Sequence, residues 1–325
     1  MPDVSIIIVC MNRLDNLYPC LKSIYATTKV NFEILVVAYL FSKENLDKAK
    51  ADFPDVKFIV NNEITGFSAN NNPAIRQATG KYCFILNDDT EIHESVIDTL
   101  VSDYERLPED TAIVSPRIIL ADGSLQLAGR PPYPSYKYVL QQFHLYDEPK
   151  DDTIGKTPVF DSVFKTSNIT GAAFLIRRDR FHELGLFDET YFFTPEDIAL
   201  STLARKRGYK VYVDTGVTLT HKWRQTASKM MRATRPSAVR GSILFFSRGS
   251  SINYLLLGIG VYIAESIKRN KALMRYTLKG GEENRTKYLT FRNITRSIFT
   301  RKTTKEIFVK YYNELRQENA TNNNS

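Results

Sequence analysis

From residue 4 to residue 86, short β-rich runs alternate with amphipathic stretches, and this order constrains the fold more than any other feature of the sequence. The runs are rich in β-branched residues, as buried strands are, and the stretches carry apolar residues at helical spacing. The predicted strands are residues 4–10, 32–38, 56–60 and 82–86, and the predicted helices between them are residues 16–26, 43–52 and 69–78. A β-α-β-α-β-α-β order predicts an α/β fold with a mostly parallel sheet and helices on both faces. Ligands of such sheets bind beyond the carboxyl ends of the strands.

The pattern continues less regularly up to residue 220. The predicted helices here are residues 95–105, 178–183 and 197–207, and the predicted strands are residues 111–119, 171–177, 210–213 and 217–220. Between them, residues 129–166 contain a proline cluster and many tyrosines. We expect this segment to form a long irregular insert, and loops of that length are often functional.

The charge is divided unevenly along the chain. Residues 221–325 contain 21 Lys and Arg and 6 Asp and Glu, which gives this part of the chain a charge of +15. The remaining residues carry −7, so the whole chain has a net charge of +8. The predicted domains are a catalytic α/β domain at residues 1–237, a basic helical region at 238–318 and a disordered polar tail at 319–325. The basic region would face an anionic membrane surface or a lipid-linked phosphate, and a solvated basic surface is an equally good interpretation. No nucleic acid is expected as a partner, because the basic half contains no recognisable nucleic-acid-binding motif.

The cysteines and the apolar runs indicate the compartment. Cys10, Cys20 and Cys83 are scattered and predict neither a disulfide framework nor a zinc site. Residues 1–3 lead directly into the first strand, so no signal peptide is expected. The most apolar run, residues 252–264, is too short to cross a bilayer and favours a buried helix, with an interfacial membrane helix as the alternative. The predicted location is cytoplasmic, with peripheral association at the inner face of the cell membrane left open.

Two acidic segments carry the chemistry. A predicted buried strand ends in Asn87, Asp88 and Asp89, which places carboxylates at the rim of the sheet, where hard oxygen ligands suit Mg²⁺ or Mn²⁺. Capping of the following helix is the alternative role for these acids. Glu196 and Asp197 open a later helix, where a carboxylate takes a proton from a hydroxyl or simply complements the helix dipole.

Two further segments are weaker signals. His221 follows a predicted strand and becomes a candidate ligand only because an acid pair is already proposed at the sheet edge. Residues 66–72 place a glycine turn before three asparagines, which predicts either hydrogen bonds to a sugar or nucleotide or simple turn and capping chemistry.

In their order along residues 4–228, these segments resemble the family 2 glycosyltransferases, which are inverting enzymes with the GT-A fold. The rhamnosyltransferase-like branch is the most similar. Each matching piece is weak, and the ordered set is specific. The matching residues are 4–9, Asn12, Arg13, Gly66, Phe67, Asn71, Asn72, 80–82, 86–91, 170–173, 185–189, Glu196, Asp197, 207–209 and His221.

The resemblance implies a role for each matched residue. Asn87 and Asp89 stand at the family's D-x-D motif, which implies that Asp89 binds the metal. His221 matches the family's C-terminal histidine, which helps to bind the metal or the diphosphate, and Asp197 matches the catalytic base. Gly171, Ala172 and Glu196 would hold the acceptor. The nucleotide-sugar donor would be gripped by a further set of residues: Cys10, Asn12, Arg13, Asn71, Asn87 and Asp88.

The sequence departs from the family's pattern in two places. The acid that usually binds the base after the second strand is replaced by Ala38, so that Tyr39 or Phe41 would stack on the base instead. Ala199 and Leu203 stand where the family often has a second acid and an arginine.

The resemblance implies an inverting glycosyltransferase that uses Mg²⁺ or Mn²⁺. It would move a sugar from a UDP- or dTDP-sugar to a hydroxyl of a glycan or lipid-linked acceptor, in cell-surface polysaccharide biosynthesis. The alternative is a catalytically weak or silent protein that binds glycans or a membrane surface on the same fold. A sugar-1-phosphate nucleotidyltransferase is disfavoured, because residues 10–13 contain no glycine to cradle a triphosphate.

Overall fold

The computed structural model describes residues 1–127, 135–146, 156–222 and 230–322. The strands are β1 (Val4–Cys10), β2 (Phe32–Tyr39), β3 (Lys57–Asn61), β4 (Tyr82–Asn87), β5 (Thr90–Ile92), β6 (Thr111–Leu120), β7 (Leu125–Gln126), β8 (Val163–Thr166), β9 (Ala173–Arg177) and β10 (Lys210–His221). The helices are α1 (Leu14–Thr27), α2 (Lys43–Asp52), α3 (Phe67–Gln77), α4 (Val96–Arg106), α5 (Ser135–Gln142), α6 (Arg178–Leu184), α7 (Glu196–Lys206), α8 (Met231–Ser247), α9 (Ser251–Lys279), α10 (Glu282–Ser297) and α11 (Thr304–Asn322).

All of these strands belong to one mixed sheet, whose main path runs β3-β2-β1-β4-β9-β6-β10-β5. The four strands from β3 to β4 are parallel, β9 is reversed, and β6 and β10 again point the same way as β4. Six of the eight strands on this path therefore share one direction within the described residues. The predicted α/β sheet is present, and the carboxyl ends of β1, β4 and β10 meet at one edge.

The centre of the sheet is buried on both faces, which explains why its strands are nearly continuous apolar runs. On one face the side chains of Ile6 and Ile8 belong to a core that includes α1 and α4. On the other face Ile7 belongs to a core that includes α3, α6 and α7. Since each fully buried Ile contributes about 1.5–3 kcal/mol, β1 is a rigid support for any group at its end.

The chain divides into two compact units. The first comprises the described residues of Met1–Pro132, Pro149–Asp188 and Glu196–Gln225, and the second those of Tyr133–Glu148, Glu189–Pro195 and Thr226–Ser325. Helix α8 runs across the predicted boundary after residue 237, and the division falls after residue 225 instead. The predicted disordered tail begins inside α11, which continues to Asn322.

One predicted loop and one pair of predicted strands differ from the structure. The insert predicted at 129–166 contains α5 and β8, and β8 pairs antiparallel with β10; its residues 129–134 and 147–155 lie outside the described part. The predicted strands at 210–213 and 217–220 are one strand with an irregularity between Asp214 and Thr218. Gly216 allows this bulge, because a Cβ there would lie 2.3 Å from Oγ of Ser162.

The second unit is a helical bundle built around an apolar cluster of α5, α8, α9 and α10. The apolar run 252–264 lies in α9, but the expectation of a buried helix is wrong for half of its surface. Leu257 and Val261 are buried, whereas Ile252 and Leu256 are 72% and 63% exposed. An apolar run predicts the helix but does not say whether neighbouring helices cover every side of it. Among the residues that the structure describes, no helix combines the length and apolar character that crossing a membrane requires.

Candidate active site at the carboxyl edge of the sheet

The side chains that follow β4 and β10 meet at the carboxyl edge of the first unit. Strand β4 ends at Asn87, and the chain turns through Asp88 and Asp89 into β5. Because β5 pairs with β10, Thr90 lies opposite His221, the last residue of β10. The backbone N–H of Lys222 donates to the carbonyl of Asp89 at 2.8 Å, which fixes the turn against the strand end.

Asp89 and His221 form a buried pair. Oδ1 of Asp89 lies 3.0 Å from Nε2 of His221, and the two residues are 8% and 3% exposed. The side-chain amide of Asn87 lies 3.4 Å from the same ring nitrogen. Asp89 and His221 are 132 residues apart in the sequence, and the structure brings them together. They are the two residues that the family resemblance predicts as metal ligands.

Gln126 orients the imidazole of His221. Its Oε1 lies 2.6 Å from Nδ1 of His221, and it is held there by β7, which pairs with β6. When Nδ1 donates its proton to Gln126, Nε2 of the neutral ring turns a lone pair toward Oδ1 of Asp89. Sequence reasoning missed Gln126, because a two-residue strand carries no periodicity and the glutamine belongs to no motif.

Asp88 lies at the same edge, next to Asp89 in the sequence. Burial, together with repulsion by Asp89, raises the pKa of Asp88 to about 7, although a hydrogen bond with the thiol of Cys10 opposes the shift. Burial and the same Asp88 carboxylate raise the pKa of the Cys10 thiol, so this thiol stays protonated, and its Sγ donates to the carbonyl of Arg13 at 3.5 Å. The buried Oδ2 atom of Asp88 has no hydrogen-bond partner among the described residues.

The donor set of this edge fits a small divalent cation. Oδ1 of Asp89 and Nε2 of His221 lie 3.0 Å apart, and both atoms can bind a cation when the imidazole carries its proton on Nδ1. The orphaned Oδ2 of Asp88 adds negative potential beside them. Within the described residues no group of three or more His, Cys, Asp and Glu converges on one point, so a bound substrate would have to supply the remaining ligands.

A second carboxylate, Asp197, is tied to the same edge through the backbone. The N–H of Asn87 donates to the carbonyl of Ala172 at 2.9 Å, so the start of β9 lies beside the end of β4. One residue earlier, the N–H of Gly171 donates to Oδ2 of Asp197 at 3.0 Å. Asn87 is therefore linked to Asp197 through Ala172 and Gly171, with one hydrogen bond at each end and the peptide bond between these two residues in the middle.

Helix α7 presents Asp197 in a defined orientation. Its Oδ1 accepts the N–H of Ile198 at 2.7 Å, and its carbonyl accepts the hydroxyl of Ser201. Each carboxylate oxygen thus takes at least one backbone N–H, which holds the side chain in place. Glu196 is 7% exposed, and a Cβ on Gly171 would lie in ordinary contact with its Oε1 at 3.7 Å, so Gly171 lies against both acids.

The comparison with known families agrees with this geometry. The family model described as Glycosyl transferase family 2 matches residues 5–185, which is more than half of the chain. The chain belongs to glycosyl transferase family 2. The match includes Asp89 and Gly171, whereas Asp197 and His221 lie beyond its end.

Relatives of the chain carry glycan-related names. It is 27% identical over 231 residues to the O-antigen biosynthesis protein RfbC of Myxococcus xanthus, a match that covers 68% of this chain and 17% of that protein. It is 27% identical over 113 residues to the glucosyl-dolichyl phosphate glucuronosyltransferase of Haloferax volcanii, which covers 33% of this chain and 36% of that protein. The chain thus spans well under half the length of both relatives.

Similarity to a solved structure extends over nearly the whole chain. The mannosyltransferase PcManGT from Pyrobaculum calidifontis, solved in complex with GDP-Man and Mn²⁺, is 14% identical with a TM-score of 0.51. The match covers 92% of this chain and 86% of that chain. It confirms the predicted fold class, a GT-A-like α/β sheet with a helical C-terminal region.

Three of the residues predicted to hold the donor in this family 2 chain are engaged elsewhere. Oδ1 of Asn12, whose φ is 52°, accepts the backbone N–H of Ser42 and the side-chain amide of Asn45. Arg13 forms a two-point ion pair with Asp15 at 2.8 and 2.6 Å.

Asn71 differs most from its predicted role. It is 1% exposed, and its amide donates to the carbonyl of Phe67 one helical turn earlier. Its neighbours are structural as well, since Asn70 closes the turn before α3 and Asn72 makes two hydrogen bonds with the backbone of Phe187. Turn and capping chemistry therefore explains the asparagine run, because these side chains satisfy buried backbone groups.

The aromatic residues proposed to replace the missing acid after β2 differ from each other. Tyr39 is 7% exposed, and its hydroxyl accepts the N–H of Thr65, so its ring is part of the fold. Phe41 is only partly buried, against the first core. Of the two, Phe41 is the more accessible, and stacking on a base would use the uncovered part of its ring.

Proposed function

We propose that the chain is an inverting glycosyltransferase that moves a sugar from a nucleotide diphosphate to a hydroxyl acceptor. One observation carries the proposal. The Asp89–His221 pair and the Asp197 carboxylate lie on one hydrogen-bonded path at the carboxyl edge of the sheet. One end of this path offers metal ligands and the other end offers a base, which are the two groups that such a transfer requires.

Asp89 and His221 would hold Mg²⁺ or Mn²⁺. When bound there, the cation would offset the charge of the leaving diphosphate. Gln126 keeps Nε2 of His221 turned toward the cation position. Oδ2 of Asp88, which lacks a partner within the described residues, would accept a hydroxyl of the donor, and the amide of Asn87 would donate to one of its oxygens.

Asp197 would act as the base. Two backbone hydrogen bonds fix the plane of the carboxylate, and a carboxylate held in this way would accept the proton of an acceptor hydroxyl. The acceptor oxygen then forms its bond to the anomeric carbon as the bond to the diphosphate breaks on the opposite face. Inversion follows, because no side chain needs to form a covalent intermediate. Gly171, Ala172 and Glu196 line the position where the acceptor would lie.

The substrate class follows from the relatives and from one substitution. A relative named for O-antigen biosynthesis supports a role in cell-surface polysaccharide assembly, and a relative named for glucosyl-dolichyl phosphate supports a lipid-linked acceptor. For the donor we propose a UDP- or dTDP-sugar, with a hexosyl or rhamnosyl group as the sugar. Because Ala38 replaces the usual acid, Phe41 would contact the base by stacking.

The Asp197→Asn variant tests the base. We expect kcat to fall by about 10²–10⁴-fold, the usual contribution of a positioned base, with donor affinity unchanged. Asp179→Asn is the matched control. Asp179 also lies in the first turn of a helix, α6, but that helix follows the last residue of β9, whereas Asp197 is bonded to Gly171 before the first residue of β9. Product formation from a panel of nucleotide sugars with Mn²⁺ is the measurement. Equal turnover by wild type and Asp197→Asn would remove Asp197 from this role.

The same assay distinguishes the enzyme from a silent binding protein on this fold. An enzyme releases nucleoside diphosphate from the correct donor in the presence of Mn²⁺, with either the acceptor or water as the second substrate. A protein that binds donor, as shown by a raised melting temperature, but releases no diphosphate would contradict the proposal.

A further inference from the structure

Helix α9 carries an exposed apolar face that no other described residue of its unit covers. Its large exposed side chains are 39–72% exposed over the first five turns, and two more near the helix end are 40% and 58% exposed. These nine residues are Ile252, Leu255, Leu256, Ile259, Tyr262, Ile263, Ile267, Leu273 and Met274. Leu278, which is 75% exposed, lies at the edge of the same face. Scattered apolar residues on a surface are ordinary, but a contiguous set of this length marks an interaction site.

The exposed residues share one side of the helix. With 100° between successive residues, all nine fall within an arc of about 140°. The opposite side holds the helix in place, because Leu257 and Val261 pack into the core formed with α8 and α10. The exposed face of α9 is therefore presented by a fixed helix and is not an unfolded end.

An aromatic residue from the neighbouring loop widens this face. The ring of Phe299, which follows α10 and is 48% exposed, lies 6.1 Å from the ring of Tyr262. It sits directly over Gly258, where a Cβ would lie 2.8 Å from the ring. The basic residues Arg296, Arg301 and Lys302 flank Phe299 in the sequence.

The charges of α9 are separated from its apolar half. Its first 17 residues contain no Lys or Arg, and its last 12 contain five Lys and Arg and no acid. The one acid of the helix, Glu265, is fully buried and lies 2.7 Å from Nζ of Lys268. The cationic end of the helix consists of Lys268, Arg269, Lys271, Arg275 and Lys279. At about 100° per residue Arg269 and Lys271 lie beside the arc of the exposed apolar residues, one on each side, whereas the other three lie toward the opposite side of the helix.

We propose that this face of α9 docks onto the surface of an anionic lipid bilayer. The apolar half would lie in the boundary between headgroups and acyl chains, and the cationic end would contact the headgroup phosphates, as in interfacial amphipathic helices. Charge complementarity favours this occupant over a second copy of the chain, which would bring the same +15 of residues 221–325 against itself. The site goes beyond the proposed transfer reaction and does not depend on it.

Vesicle co-sedimentation of the full chain tests the docking. Vesicles of phosphatidylcholine with phosphatidylglycerol should bind the protein, and vesicles of phosphatidylcholine alone should bind it far less. Replacing two apolar residues, in Leu256→Gln with Ile259→Gln, should lower the partition coefficient by more than about tenfold. Replacing two charges, in Lys271→Gln with Arg275→Gln, should lower it by about fivefold per charge on the anionic vesicles.

The control for both double variants is Val60→Thr, since Val60 is 46% exposed on β3 in the first unit. It should bind vesicles as wild type does, and circular dichroism should show the same helix content in all variants. Three results would overturn the proposal: no binding to anionic vesicles, binding that neither double variant weakens, or light scattering that shows a dimer lost in Leu256→Gln with Ile259→Gln. The last result would assign the face to a second copy.

Discussion

Two pairs of carboxyl groups in the first unit have the same electrostatics but different surroundings. Burial and a neighbouring carboxylate raise the pKa of Asp88, beside Asp89, to about 7, and they do the same for Asp103, beside Asp214. In each pair one buried oxygen, Oδ2 of Asp88 or of Asp103, has no hydrogen-bond partner among the described residues. Neither the pKa nor the unpaired oxygen distinguishes a functional site here.

The two carboxyl pairs differ in the hydrogen-bond partners of their acids. Asp214 lies within β10, where its Oδ1 accepts the hydroxyl of Ser162 and the N–H of Gly216, so it closes the bulge of that strand. Asp89 follows the end of a strand, and its partner is the imidazole of His221. A carboxylate that faces an imidazole at the carboxyl edge is a candidate for chemistry, and one whose donors close a bulge inside a strand is structural.

The largest effect should come from removing the acid that faces the imidazole. Asp89→Asn loses the anionic ligand, so Mn²⁺-dependent turnover should fall by about a thousandfold or more, in line with the several kcal/mol that a metal contributes to a transition state. Calorimetry should show that Mn²⁺ no longer strengthens donor binding.

Asp103→Asn is the matched control for that experiment, because it neutralises an equally buried acid away from the edge. It should leave turnover within about twofold of wild type, since surface and core changes away from the site affect stability instead. If both variants lost activity equally, or if Asp89→Asn kept its response to Mn²⁺, the distinction between the two pairs would be lost.

A smaller effect is expected at Gln126, which positions the imidazole. Gln126→Ala should weaken Mn²⁺ activation by about 10–100-fold, the usual result of removing the partner of a ligating histidine. At saturating Mn²⁺ most of kcat should return, because the ligands themselves remain. Gln126→Glu supplies a stronger acceptor for the N–H at Nδ1 and should restore the affinity for Mn²⁺. A loss of kcat that Mn²⁺ cannot restore would show that Gln126 acts on the fold.

The sequence predicted the sheet and its edge because both depend on local patterns. β-Branched runs mark the strands, and strands of one direction end at the same edge, so the meeting of Asp89 after β4 with His221 at the end of β10 follows from topology. Turns into helices could be predicted in the same way, and Gly185, with a φ of 87°, ends α6 as expected. The roles of these residues in catalysis stay predictions.

What could not be predicted depends on contacts between distant segments. The pairing of Gln126 with His221 joins residues 95 apart in sequence, and no local signal marks it. Whether an asparagine such as Asn71 faces a ligand or its own backbone depends on its rotamer and neighbours. The apolar face of α9 is exposed because no other described helix covers it, and the helical period alone cannot show that.

The smallest effect should be a change in how stability depends on pH at the structural pair. An acid whose pKa is raised on folding binds its proton more tightly in the folded chain than in the unfolded chain. The stabilisation from the Asp103 proton is therefore complete below about pH 4 and is lost as pH rises through about 7. Asp103→Asn mimics the protonated acid at every pH. Its melting temperature should match that of wild type near pH 4 and exceed it by about 3 °C at pH 8.

Scanning calorimetry across this range, with Asp55→Asn as the control, separates the pair from other titrating groups. Asp55 is exposed, so its replacement should shift the melting temperature by a constant amount at all pH values. A difference between Asp103→Asn and wild type that does not grow with pH would show that the pair does not share a proton. In that case the two carboxyl pairs would differ in electrostatics as well as in surroundings, and the pKa of Asp88 would regain value as a marker of the site.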